Sequence, residues 1–208
     1  MRSHLTSTLA LCALTCLASA AHAASAKFDF KDAKGVNTVN FTLDAPLEAI
    51  SGSANGISGE VHFDPANPAA TQGKIIVQAA SMQVPNAMMK EHMLAKDWMD
   101  ATAHPTLTFE VESLANASTS GDVTTAEAKG KMTIKGVTKP VTVPVKITHL
   151  KDKLAARTNG QMKGDLLVVR AKFTVKRTDF GINPKAPEDK VSDDVELTLS
   201  VAGAAPKS

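Results

Sequence analysis

The most constraining feature of the sequence is a pair of runs within residues 123–149 in which apolar and polar side chains alternate. In the second run, four β-branched residues occupy every other position: Val141, Val143, Val145 and Ile147. Successive side chains of a strand point to opposite faces, so this period of two predicts strands with one dry and one wet face. Gly136 and Pro140 interrupt the alternation, and we expect them to bracket the connection of an antiparallel hairpin. Pro144 has no N–H, which favours an edge or bulge position.

Six further stretches bring the expected number of strands to eight. Five of them have clear apolar rows, which are, in chain order, Val39, Phe41 and Leu43; Ile57, Gly59, Val61 and Phe63; Leu107, Phe109 and Val111; Val169, Ala171, Phe173 and Val175; and Val195, Leu197, Leu199 and Val201. The third strand in chain order is expected at residues 74–84, where Ile75, Ile76 and Val77 are consecutive, so the pattern does not fix its register. The small, polar cluster at residues 51–56 is expected to break the chain between the first two strands. The polar stretches 151–164 and 177–192 are expected to be loops.

Between the third and fourth strands the period of the sequence changes. Within residues 86–101 there are two pairs of apolar residues whose members are four positions apart: Met89 and Met93, and Leu94 and Trp98. This spacing predicts one irregular helix or two short ones, with Asn86 as the cap. Eight short strands with one helical insert predict an all-β domain, either an antiparallel barrel or a sandwich. Eight is also the strand number at which a barrel closes on a filled interior or on room for one ligand.

The first 23 residues have the organisation of a secretory signal peptide. An apolar run at residues 9–20 is too short to span a bilayer, and Ala21-His22-Ala23 has the small-x-small form that signal peptidase reads. We expect cleavage after Ala23, or alternatively after Ala26, and a single exported domain over residues 24–208 in the periplasm. Cys12 and Cys16 lie in the leader, so the expected mature chain has no thiol for a disulfide, a zinc site or a nucleophile.

Charge and motif content exclude several classes of function. Removal of the leader leaves 22 basic against 21 acidic side chains, which gives no basis for a nucleic-acid partner. Tyr is absent and Trp98 is the only tryptophan, so stacking platforms for bases or sugars are not expected. The sequence carries no recognisable Ser–His–Asp motif, HExxH motif, nucleophile elbow or phosphate loop. We therefore predict that the protein is not an enzyme.

Three sequence blocks resemble the YceI-like family of exported, lipocalin-like proteins. They are HMLAKDWMDATAHPTLTFEVESL at residues 92–114, GKMTIKGVTKPVTVPV at 130–145 and KRTDFGIN at 176–183. The resemblance implies an eight-stranded antiparallel lipocalin-like barrel with a short helical insert between strands 3 and 4. It also implies an apolar tunnel that holds a long-chain polyisoprenoid, an isoprenoid quinone or a fatty-acid-like amphiphile. A homodimer is compatible with the resemblance, as is a membrane redox protein, or the membrane itself, as lipid donor.

The sequence departs from the family pattern at two places. Trp98-Met99 stands where the family usually has two aromatic residues, and Phe28-Asp29-Phe30 lacks the usual tryptophan of the opening strand. The mouth or the lining of the tunnel is therefore expected to differ.

The apolar rows supply the candidate ligand-binding residues. These are Val39, Phe41, Phe63, Met93, Leu94, Trp98, Phe109, Val111, Met132, Ile134, Val143, Val145, Phe173 and Val175. Such a lining selects a ligand by the length and width of its apolar chain more than by its hydrogen-bonding groups. Arg177 shares the parity of Phe173 and Val175, so it is a candidate contact for a ligand headgroup, or a cap of the barrel through a carboxylate such as Asp179. The alternative is a purely structural ion pair.

Methionines concentrate in the helical insert. Five of the seven that follow the leader lie between residues 82 and 99, where they form either an adaptable lid or ordinary core. Met89, His92 and Met93 are spaced to share one helix face. Soft thioether ligands suit Cu(I), so the alternative function is a periplasmic Cu(I)-binding protein that uses the Met/His cluster at residues 88–93.

Overall fold

The structure, a computed structural model, describes residues 25–32 and 34–207. The signal peptide expected at residues 1–23 lies outside the described residues. Within the described part of the chain, every helix is too short or too polar to cross a bilayer.

The described residues form eleven β-strands in one antiparallel sheet. The strands are β1 (Ala26–Asp29), β2 (Thr38–Asp44), β3 (Ala49–Ala54), β4 (Ile57–Phe63), β5 (Gln72–Gln78), β6 (Met82–Gln83), β7 (Thr106–Ser120), β8 (Val123–Ile134), β9 (Val137–Leu150), β10 (Gly164–Lys176) and β11 (Asp194–Pro206). Three barrel positions are each shared by two strands, because β1 and β2, β3 and β4, and β5 and β6 follow one another on the same position of the sheet. The eleven strands therefore occupy eight positions.

The barrel is closed by the last strand. β11 pairs along its whole length with β10, and on its other side it pairs with β2 and, at Ala204, with Asp29 of β1. Consecutive positions are hydrogen-bonded neighbours throughout, so the chain winds up and down around the barrel. The predicted eight-stranded antiparallel lipocalin-like barrel is confirmed.

The turn between β8 and β9 is tighter than the sequence suggested. Only Lys135 (φ 49°) and Gly136 (φ 75°) connect the two strands, and two positive φ values are typical of a type I′ hairpin turn. The prediction that Pro140 ends the connection is wrong, since Pro140 pairs with Lys131 inside β9.

One stretch of the wall has a seam. β9 pairs with β10 only from Val145 to Leu150, so its first half, which holds Pro140 and Pro144, is bonded to β8 alone. The edge position expected for Pro144 is confirmed. In the β8 pairing, both prolines occupy positions whose N–H would point away from β8, so the hairpin loses no hydrogen bond.

Residues 51–56 do not break the chain as expected. They belong mostly to β3, which pairs with β2 and with β6. Gly52 lies directly beneath the ring of Phe41, where an added Cβ would collide with the ring and with the carbonyl of Gln83. Here glycine serves close approach within a strand, and pairing with two neighbours overrides the local turn preference of serine and glycine.

Two short α-helices lie outside the barrel wall. α1 (Ala87–Leu94) follows the third barrel position as predicted, and Asn86 Oδ1 accepts the Met89 N–H at 3.0 Å as its cap. α2 (Leu154–Arg157) lies in the stretch expected to be a polar loop, and it buries Leu154 to 2% exposure. Single 3-10 turns occur at Pro68–Ala70, Ala79–Ser81 and Thr178–Phe180.

Inward side chains form two apolar groups at different heights. One end is filled by Phe28 and Phe63, which meet the imidazole of His149 edge to face at ring-centroid distances of 5.8 and 6.2 Å. We call this the closed end. The other group surrounds Phe41, Met99 and Phe180 below α1 and the 178–193 loop, and we call that end the mouth.

Candidate functional site

An apolar cavity of about 410 Å³ occupies the bore between these two groups. All eight barrel positions contribute to its wall, which has 41 lining residues. Apart from Trp98, the polar side chains on the described wall are those of Glu48, Thr71, His92, Thr108 and Arg177. The inward rows of the strands are thus wide enough apart to leave a hollow interior.

The cavity is long and opens at one end. On β10 the wall runs from Leu167 to Val175, about 26 Å along the strand, or roughly 20 Å along the axis of a barrel with ordinary tilt. Glu48 and His92 line the cavity and are also exposed to solvent, so the bore reaches the surface between the chain before β3 and α1.

Most of the predicted lining residues lie on this wall. They are Val39, Phe41, Met93, Trp98, Phe109, Val111, Met132, Ile134, Val143, Val145, Phe173 and Val175. Phe63 is instead packed into the closed end, 1% exposed, and Leu94 packs beside the mouth group without reaching the wall. The roles of the twelve as ligand contacts remain predictions.

Loop residues that the strand pattern did not identify complete the mouth. Phe180, Ile182 and Val191 lie on the wall although none belongs to a strand. Val84, which was expected to end the third strand, also lies on the wall, just after β6. The available signal was the presence of three large apolar residues in the otherwise polar stretch 177–192. Such residues in a polar loop indicate that the loop folds back on the core.

Arg177 is buried at the mouth, with 1% of its surface exposed. Its Nη1 donates to the carbonyls of Ile182 (2.8 Å) and Asn183, and its Nε and Nη2 face the carbonyls of Ser192 (3.4 Å) and Val191 (3.5 Å). The cap through Asp179 is therefore wrong, as is the structural ion pair, since the salt bridges of the described residues do not include Arg177. The planar guanidinium instead spans several carbonyls of one loop, which suits its fixed fork of donors.

The same loop is fixed at its far end by Asp193. Its carboxylate accepts the Thr178 N–H at 2.9 Å and the Thr178 hydroxyl at 3.0 Å. Burial raises the pKa of Asp193, but these hydrogen bonds and the nearby Lys176 and Arg177 charges outweigh it and hold the pKa below its ordinary value. The 178–193 loop is thus tied to the end of β10.

A lysine joins the three segments that cover the mouth. Lys135 Nζ, from the β8–β9 turn, donates to the carbonyls of Asp97 and Gly181, both at 3.1 Å. The Asp97 carbonyl also accepts the Asn183 N–H at 3.0 Å. The helical insert, the turn and the 178–193 loop therefore form one hydrogen-bonded layer around the opening.

Comparison with known proteins places this architecture in a family. The YceI-like domain family matches residues 21–202. A UPF0312 protein of Pseudomonas paraeruginosa is 33% identical over 152 residues, which are 73% of this chain and 72% of the relative. A UPF0312 protein of Pectobacterium carotovorum is 29% identical over 205 residues, 96% of this chain and 97% of the relative.

Solved structures show the same fold. BcnA of Burkholderia cenocepacia superposes with a TM-score of 0.65 at 23% identity, covering 80% of this chain and 95% of that one. A polyisoprenoid binding domain from Saccharophagus degradans superposes with a TM-score of 0.64 at 11% identity, covering 88% of this chain and 99% of that one. The closed barrel, its apolar bore and the family match lead to one assignment: the chain belongs to the YceI-like domain family.

Proposed function

We propose that the protein binds a long-chain polyisoprenoid, an isoprenoid quinone or a fatty-acid-like amphiphile in its bore and carries or stores it in the periplasm. The observation that carries the proposal is the apolar cavity of about 410 Å³ with its opening at the mouth. Its size lies within the range of about 300–1,000 Å³ of ordinary ligand pockets. The structural neighbour described as a polyisoprenoid binding domain supports the same ligand class.

The chemistry of the wall favours an extended apolar chain. Few hydrogen-bonding groups face the bore, so the wall selects a ligand by the length and width of its apolar chain. Burial of each methylene yields about 0.8 kcal/mol relative to water. A membrane lipid starts from an apolar phase, however, so its net gain on entering the protein is much smaller. Exchange with a membrane or with a membrane redox protein is then energetically feasible, which suits a carrier or store.

Binding of this kind needs no reacting groups, so we propose a non-enzymatic role. Few polar side chains lie on the wall, and one of them, Arg177, already donates to loop carbonyls. Export through the signal peptide at residues 1–23 would bring the protein to the compartment in which membrane lipids need an aqueous carrier.

The proposal is tested by asking what the bore contains. We expect protein purified without detergent to carry a long apolar molecule, detected by native mass spectrometry and identified after organic extraction. Val169→Phe places a ring in the bore between Ile147 and Val201, and it should reduce the occupied fraction to a small remainder.

Thr174→Phe is the matched control, because it adds the same ring to the outward face of the same strand. Val145→Phe, on the adjacent strand, provides a second block should Val169→Phe unfold. Equal occupancy in the blocked variants and in the control would overturn the proposal, as would wild-type protein that neither retains an extractable lipid nor takes up added polyprenol.

A further inference from the structure

The mouth of the bore concentrates soft metal-binding side chains. Met89, His92 and Met93 of α1 all line the cavity, so they occupy one face of the helix. Residues three and four apart on a helix have Cβ atoms about 5–6 Å from one another. Met88, which directly precedes Met89, is absent from the wall and 67% exposed. Met89 and Met93 therefore face the cavity, whereas Met88 faces solvent.

A further thioether comes from the chain that follows the helix. The Met99 N–H donates to the carbonyl of Met93 at 3.0 Å, which fixes the two residues side by side. Met99 is 6% exposed and lies on the same wall. Three thioethers and one imidazole from two adjacent segments thus line the mouth region of the cavity.

This donor set has a definite preference among metals. Thioethers are soft ligands that select Cu(I), whereas Mg²⁺ and Ca²⁺ need oxygen ligands. Glu48 is the one carboxylate on the described wall, and the described residues hold no group of three or more His, Cys, Asp or Glu side chains suited to a metal. Methionine has three rotatable side-chain bonds, so these ligands can close around an ion without a change of backbone.

We propose that Met89, His92, Met93 and Met99 form a Cu(I) site at the mouth of the bore. The site uses side chains of the helical insert and no group deep in the cavity, and it shares Met93 with the predicted lipid contacts. A neutral set of ligands also brings only the single charge of Cu(I) to an apolar wall, which costs less desolvation than a divalent ion.

An anaerobic titration tests the site. Mature protein without a histidine tag is titrated with Cu(I) in competition with bicinchoninate, whose Cu(I) complex is coloured. We expect one equivalent of Cu(I) to move to the protein. His92→Ala and Met89→Leu should each weaken binding at least about tenfold, the lower end of what even an outer-shell substitution costs a metal site.

Matched substitutions separate a site from general affinity for methionine and histidine. Met88→Leu changes the neighbouring, outward thioether, and His62→Ala changes an exposed imidazole on β4. Both should bind Cu(I) as the wild type does. The proposal is overturned if wild-type protein does not compete with bicinchoninate, or if Met88→Leu weakens binding as much as Met89→Leu.

Methionine methyl signals give a second readout that does not depend on variants. Protein labelled with 13C at the methionine methyl groups should show Cu(I)-induced shifts at Met89, Met93 and Met99 and none at Met88 or Met162. Shifts spread evenly over all methionines, or confined to Met88, would equally exclude the site.

Discussion

The closed end and the mouth of the barrel are built from different kinds of contact. At the closed end, rigid rings pack edge to face around His149. Asp165 joins this end to the C-terminal segment, since its carboxylate accepts the Asp152 N–H at 2.8 Å and the Lys207 ammonium at 2.7 Å, with His149 at 3.4 Å. Ring packing and hydrogen bonds to a charged carboxylate both require fixed geometry.

The mouth is held by side chains that donate to backbone carbonyls and by flexible apolar residues. Arg177 and Lys135 bind the carbonyls of the covering loops, while Met88 and Leu47 remain 67% and 65% exposed nearby. Unbranched methionines adapt to different shapes at little cost. Under the proposed function, a ligand would enter at the mouth, and the closed end would be the fixed floor of the bore.

The largest difference between the two ends is expected in stability. Phe63→Ala removes a buried ring from the closed end and should lower the free energy of unfolding by about 3–5 kcal/mol. Met89→Ala, at the half-buried mouth, should lower it by less than about 1 kcal/mol. Urea unfolding followed by circular dichroism measures both. Similar losses would mean that the two ends are equally rigid, and the comparison would fail.

A smaller effect is expected where Arg177 holds the mouth loop. Arg177→Met leaves part-buried carbonyls without donors and should lower the free energy of unfolding by about 1–3 kcal/mol, with faster proteolysis within residues 182–192. Arg170→Met, which changes an exposed arginine of β10, is the control and should stay within about 0.5 kcal/mol of wild type.

The same variant addresses the headgroup hypothesis for Arg177. If the loop of Arg177→Met resists protease as the wild type does while lipid retention falls, a direct ligand contact is favoured over the loop-holding role. Faster proteolysis together with faster lipid release supports the loop-holding role.

The smallest effect is expected on the loss of stability at low pH. Burial raises the pKa of Asp165, but the Asp152 N–H, Lys207 and His149 outweigh it and hold that pKa below its ordinary value. The ionised carboxylate therefore stabilises the fold above about pH 4, and this contribution is lost as pH falls through the lower pKa of the folded state. Asp165→Asn should cost about 1 kcal/mol or less at pH 7 and make the loss of stability between pH 5 and pH 3 shallower.

Urea midpoints at several pH values between 3 and 7 measure this slope. Asp193→Asn removes the corresponding carboxylate at the mouth, whose pKa is displaced in the same direction, so it should flatten the profile too. An unchanged slope in both variants would show that neither carboxylate contributes to acid sensitivity.

The sequence predicted the strands and most of the wall because both depend on local alternation. Val143 and Val145 fall inward by parity alone, and so do Phe173 and Val175. Parity gives the side of a strand but not the height within the barrel, which is why Phe63 faces inward and yet belongs to the closed end. For Leu94, helical spacing likewise gave a face of α1 without its distance from the bore.

Features set by contacts between distant segments escaped prediction. The residue types at Ser51, Gly52 and Ser53 are typical of a turn. Pairing with β2 and β6 nevertheless places these residues in a strand. Arg177 was expected near a carboxylate because charge pairing is visible in sequence, whereas its backbone acceptors depend on how the 178–193 loop folds back. An apolar loop residue such as Ile182 indicates packing on the core only because the residues around it in the sequence are polar.

The seam between β9 and β10 has a consequence for encounters with other proteins. An unpaired strand edge is a template on which a second chain can extend the sheet. Pro140 and Pro144 remove two of the N–H groups that such a strand would bond, and Lys172 and Lys176 place charge along the strand on the far side of the gap. The barrel wall can therefore be incomplete without seeding polymerisation.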